Sequence, residues 1–152
     1  MSLTTVICTP QALMSHDMRA LFEAAYESGF AKGYGPNASE LRTFLAYAMP
    51  PQGFCLIALK RAEKYVGFAL MFPPTAISPD PVLYSHYAPS NVEERKALNM
   101  AIRRQVREWN CDAFLCASHW DNDEAFIRLF RDMGQGEVVT KEIRFVLNEG
   151  VE

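Results

Sequence analysis

Apolar residues fall along this chain either at helical spacing or in short continuous strand-like runs, and the changes between the two mark out its elements. Residues 4–9 are a short β-prone run that Pro10 stops. Ser15 then caps a helix running to about residue 28, with Met18, Leu21, Phe22, Ala25 and Tyr26 on one face and Gly29 at its exit. Asn37-x-x-Glu40 announces a second helix carrying Leu41, Phe44, Leu45 and Ala48, which Pro50-Pro51 ends. Residues 54–59 and 65–72 read as strands joined in a hairpin across Arg61-Ala62-Glu63-Lys64, with Gly67 marking a bulge or a close backbone approach. A loop with four prolines, 73–81, leads into a strand at 82–87. The longest helix follows, from Val92 to about Trp109, with Leu98, Ile102, Val106 and Trp109 at core spacing and its charges read as a solvated face. A buried strand at 113–118 comes next, then a helix capped by Asp121-x-x-Glu124 that carries Phe126, Ile127, Leu129, Phe130 and Met133 to Gly134. Residues 138–147 close the chain as one strand or two. The predicted order is β-αα-ββ-βαβα-β, an α/β (α+β) mixed sheet with helices on both faces, in a single domain over 1–152.

Composition narrows the classes without naming one. A chain of 152 residues buries roughly 70% of its unfolded surface and needs no disulfide or metal to hold a core. A net charge of −3 argues against a broad nucleic-acid face. No apolar run reaches bilayer length and no secretory pattern opens the chain, so the expectation is a cytoplasmic protein without a membrane partner. Cys8, Cys55, Cys111 and Cys116 lack CxxC spacing and read as reduced structural thiols. No His-x-Glu or His/Cys pair has ligand spacing, so no metal is expected. Ser118-His119 beside Asp121 is not a triad, because neighbours on a strand point to opposite faces.

The turn Ala88-Pro89-Ser90-Asn91-Val92-Glu93-Glu94 carries the most chemistry. Where a strand feeds a helix in a βαβ unit, unpaired N–H groups and the helix dipole make an anion site. Here the turn has no glycine, and Ser90-x-x-Glu93 reads as a capping box, with Glu94 adding a second carboxylate. The expectation is an entrance already neutralised from within.

The element order, together with the helix pattern Ile127-Arg128-Leu129-Phe130-Arg131-Asp132-Met133-Gly134, resembles the GCN5-related N-acetyltransferases, the GNAT superfamily, over nearly the whole chain. The resemblance implies acetyl-CoA as cofactor, held between the fourth and fifth strands. Its pantetheine arm would lie on the fourth-strand backbone near Tyr87 and Ala88. Its pyrophosphate would lie on a loop resembling Gln/Arg-x-x-Gly-x-Gly/Ala, whose positions fall near Val92, Glu93, Arg95 and Ala97, where only Ala97 matches. The family's asparagine near the start of the last helix falls on Asp123, and its thiolate-protonating tyrosine falls on Phe130, which has no proton to give. His86 and His119, and after them Tyr84, are the candidates for general base. Each carboxylate of Glu93 and Glu94 about 5 Å from a phosphate would repel it by roughly 3 kcal/mol before screening.

Two functional readings follow. The first is a non-catalytic binding or structural module of N-acetyltransferase ancestry. The short compact build resembles the GNAT-like proteins with eroded motifs found in tailed bacteriophages, some of them virion-associated. The second is an active acetyl-CoA-dependent N-acetyltransferase, whose small-molecule or protein amine would be chosen by loops 29–36 and 73–81. Domains of the resembled family are often dimers, which leaves a homodimer open. An unrelated α+β fold stays open beside these, because 138–147 is short for the two closing strands usual in the family.

Overall fold

The computed structural model describes residues 2–27, 53–88, 91–116, 127, 128, 130, 131 and 148. The chain divides into two compact units, Met1–Ala117 and Ser118–Glu152. In the first, strand β1 (Leu3–Ile7) leads to a one-turn helix α1 (Pro10–Leu13) and then to α2 (His16–Glu27). Pro10 stops the strand as expected, but it also starts a helical turn, because Thr9 Oγ1 accepts the N–H of Ala12 at 3.1 Å. Ser15 Oγ likewise accepts the N–H of Met18 at 3.3 Å at the head of α2. The predicted helix after Asn37, the last helix apart from four of its residues, and the closing strand lie outside the described residues.

Strands β2 (Cys55–Arg61), β3 (Lys64–Phe72) and β4 (Val82–Tyr87), helix α3 (Val92–Glu108) and strand β5 (Leu115–Cys116) complete the unit. The mixed sheet runs β1-β2-β3-β4-β5, antiparallel up to β4 and parallel between β4 and β5. Fourth and fifth strands are therefore neighbours, paired through Val82 with Leu115 and Leu83 with Cys116. The parallel β4-α3-β5 crossover requires a helix on one face, and the alternation of β2 and β3 supplies apolar residues on both. Leu56, Ala58, Phe68 and Leu70 pack with Met18, Leu21, Phe22 and Ala25 of α2. Ile57, Leu59, Ala69 and Met71 are also buried, and strand alternation turns them to the other face, toward α3 with its buried Leu98, Ile102 and Val106.

Two irregularities aim the sheet. Leu59 pairs with Gly67 but Lys60 with Tyr65, so Val66 is an extra residue in β3, and Tyr84 is extra in β4 between the Leu70–Ser85 and Met71–Leu83 pairs. Gly67 also lies where β4 exits, and a Cβ there would sit 2.6 Å from the carbonyl oxygen of Tyr87. Both sequence expectations for this glycine are met at one end of the sheet. Gly67→Ala is expected to destabilise the protein by about 1–3 kcal/mol through this overpacking against backbone. An unchanged urea midpoint would show that the β4 exit yields freely.

In the second unit, Ile127 and Arg128 are helical, the Phe130 N–H donates to the Ile127 carbonyl at 3.2 Å, and the Phe130 ring is buried.

Candidate functional site

The anion site expected of a βαβ unit lies where β4 passes into α3, and its first turn differs in detail from the sequence expectation. The helix begins at Val92, and its cap is Asn91, not Ser90. Asn91 is extended (φ −163°, ψ 171°), its Oδ1 accepts the N–H of Glu94 at 2.8 Å, and its carbonyl accepts the N–H of Arg95 at 3.2 Å. The Ser90–Glu93 capping box is thereby corrected by one position, and Ser90 itself lies outside the described residues. The reason is helical phase. With Leu98, Ile102 and Val106 committed to the core, the residue one turn before Leu98 must also face inward, and that residue is Glu94.

Glu94 is accordingly 2% exposed, and the expectation that all charges of α3 form a solvated face fails here. A buried carboxylate needs a partner, and the far end of the β2–β3 hairpin supplies one. Arg61 Nε donates to Glu94 Oε1 at 3.2 Å, while Arg61 Nη2 lies 3.9 Å from Oε2 of the exposed Glu93. Glu94 Oε2 is buried with no hydrogen-bond partner. Sequence reasoning passed over Arg61 as a turn residue, although the i, i+4 spacing of Glu94 and Leu98 held the signal that a cation must reach this stripe.

The second polar contact under α3 joins His86 to Asn99. Nε2 of the half-buried His86 lies 2.9 Å from Oδ1 of Asn99, which is 1% exposed. His86 pairs with Ala69 on the α3 side of the sheet, while the ring of its neighbour Tyr87 packs 5.7 Å from Phe68 on the α2 side. Tyr84 lies on that same side, with its ring 5.5 Å from Phe72, so His86 and Tyr84 address opposite faces. Asn99 was invisible to the sequence reading because a single polar residue in a helical stripe has no distinguishing pattern.

Of the other residues marked out by the sequence, Tyr87 and Ala88 end β4, and Ala88 packs against Gly67. Arg95 and Ala97 are half-buried in the first turns of α3, close in the chain to Asn91. Phe130 belongs to the second unit, and His119 and Asp123 lie outside the described residues. Burial pushes the thiol pKa of Cys8 and Cys55 up to about 11 and that of Cys116 up to about 12, which leaves little thiolate at neutral pH. All four cysteines are free. Among the described residues, no three His, Cys, Asp or Glu side chains converge as metal ligands, and no helix is long and apolar enough to cross a membrane.

No family model and no curated protein matches this chain. Solved structures do. A ribosomal-protein-alanine N-acetyltransferase from Brucella melitensis biovar Abortus 2308 superposes with a TM-score of 0.69 at 12% identity, over 95% of this chain and 100% of its own. The aminoglycoside acetyltransferase meta-AAC0020, from an uncultured soil metagenomic sample, gives 0.66 at 18% identity over 96% and 97%. The aminoglycoside N-acetyltransferase AAC(6')-Iy, in complex with CoA, gives 0.67 at 14% identity over 97% and 95%.

Proposed function

We propose that this chain, which has the fold of the GNAT acetyltransferases, uses it as a non-catalytic binding or structural module. The observation that carries this reading is the 2.8 Å bond from the Glu94 amide to Asn91 Oδ1. A pyrophosphate at a helix entrance needs backbone N–H groups that are unclaimed and closely approachable. Here one donor is already satisfied by a side chain, no glycine opens the turn, and the exposed carboxylate of Glu93 faces solvent beside it. The residues at this turn do not fit the phosphate end of acetyl-CoA. The inward turn of Glu94 tempers the electrostatic part of the objection, because Arg61 neutralises it and leaves Glu93 as the carboxylate an anion would meet.

A ligand that prefers the native state at about 100 times its Kd stabilises it by about 2.7 kcal/mol. In a chain of this length that would raise Tm by roughly 5–10 °C. CoA and acetyl-CoA at millimolar concentration are expected to give neither a calorimetric heat nor such a shift. Micromolar binding of either would overturn the reading.

One observation favours the second reading, an acetyl-CoA-dependent N-acetyltransferase acting on an amine. His86, the histidine on β4, is oriented by a 2.9 Å contact from its Nε2 to a fully buried asparagine, as a general base needs. The same titration separates the two readings.

A further inference from the structure

We infer that this chain associates with copies of itself head to tail, the outer face of α3 in one copy docking on the outer face of α2 in the next. The two helices pack on opposite faces of the sheet, so their outer faces point away from each other. Their charges are opposite. Exposed on α3 are Lys96, Arg103, Arg104 and Arg107 against Glu93 and Glu108, a balance of +2. Exposed on α2 are Asp17, Glu23 and Glu27 against Arg19, a balance of −2 with His16 neutral. The whole chain carries −3, so the α3 face stands apart from an otherwise acidic protein, and a second copy offers the charge it attracts.

The two faces also match in spacing. The outermost stripe of α3 holds Lys96, Met100 and Arg107, and that of α2 holds His16, Ala20 and Glu27 at the same intervals. Laid side by side and parallel, the stripes correspond over about 17 Å of helix. Met100, 47% exposed, then meets the small Ala20, Arg107 meets Glu27, and Lys96 meets Asp17 beside His16. Alanine lets the helix axes approach to about 8–10 Å, and methionine adapts to the recess it leaves. Arg103 and Glu23 fall between these positions, Glu23 is already held by Arg19 at 3.0 Å, and the pairing calls on neither. Arg107 gives Nη1 to the exposed Asp112 and is itself 58% exposed, so the rest of its fork can reach a second carboxylate. Because the contact joins two different patches it is heterologous, and it repeats as a ring if the rotation closes or as an open chain if it does not. Such assembly suits a structural module and requires no CoA.

The test is sedimentation equilibrium of the whole chain at low ionic strength, with circular dichroism to confirm the fold of each protein. Wild type should show a mass that rises with concentration up to about 1 mM and returns to the monomer's in about 1 M salt, where the Debye length is about 3 Å. Lys96→Glu with Arg107→Glu, and separately Asp17→Lys with Glu27→Lys, should each weaken association at least about tenfold. Mixing the two reversed proteins should restore it, because the acidic α3 face of one then meets the basic α2 face of the other. Should a reversed protein fail to fold, the neutral pairs Lys96→Gln with Arg107→Gln and Asp17→Asn with Glu27→Gln replace it and should show the loss alone. Three outcomes overturn the inference: a wild type that stays monomeric throughout at low salt, association that survives in either altered protein, or folded reversed proteins that remain apart when mixed. CoA binding by wild type would defeat the proposed function and leave this contact untouched.

Discussion

Arg61→Ala is expected to lower the unfolding free energy by about 3 kcal/mol, near the lower end of the 3–5 kcal/mol typical for breaking a buried ion pair. The lower end applies because Arg61 is 29% exposed, so water partly screens the pair, whereas the Glu94 side chain at 3% has no such relief. Substitution removes the donor to Oε1 and leaves a carboxylate with neither oxygen paired. In a domain of this size the loss corresponds to a fall in Tm of roughly 6–12 °C. The decisive control is the double replacement Arg61→Met with Glu94→Leu, which removes both charges and should recover most of the loss. If urea denaturation finds Arg61→Ala within about 0.5 kcal/mol of wild type, the usual range for surface substitutions, then the Glu94 carboxylate reaches water and does not depend on Arg61.

Phe68→Ala should cost more, about 3–5 kcal/mol. Phe68 is 2% exposed at the middle of the sheet, stacked on Phe22 with ring centroids 4.6 Å apart and interplanar angle 4°, and flanked by Tyr87 at 5.7 Å. Its removal opens a cavity between α2 and β3 that neither layer can close, since Leu56, Ala58 and Leu70 are fixed by their own strand pairings. Phe54→Ala offers a comparison. That ring also meets another aromatic, Phe72 at 4.4 Å, but it is only half-buried, so less apolar surface is lost. Equal losses of stability at the two positions would mean that α2 does not seal the core as described.

These effects bear on the two readings of function in different ways. Phe68 supports the frame shared with the acetyltransferases and would matter equally to an enzyme or a binding module. Arg61 belongs to the feature that separates the readings. It spends a guanidinium, the side chain best shaped to grip phosphate, on two carboxylates of the same chain.

The frame was largely legible beforehand, because each strand and helix buries its own apolar stripe. Continuous apolar runs over β2 and β3, period 3.6 over α2 and α3, and proline or Ser15 at their ends locate these elements to within about two residues, the usual scatter of element boundaries. Gly67 was marked as a bulge or a close approach because an isolated glycine in a strand needs such a reason. The cap was misplaced by one residue because Ser90 and Asn91 are both good capping residues, each with a glutamate three places on. Local chemistry cannot choose between them. The choice was made by Leu98, Ile102 and Val106, whose burial fixed the rotation of α3 and so decided which glutamate turned inward.

By itself, then, the sequence determined the strands and the two long helices of the described residues and their order, but not the turn α1, because hydrophobic patterning is a property of neighbouring residues. Only the tertiary structure decided that Arg61 meets Glu94 across 33 residues and that His86 meets Asn99 across 13. Such partners are chosen by the packing of a helix on a sheet, where a buried polar group must be satisfied by whatever donor or acceptor the opposing surface brings within about 3 Å.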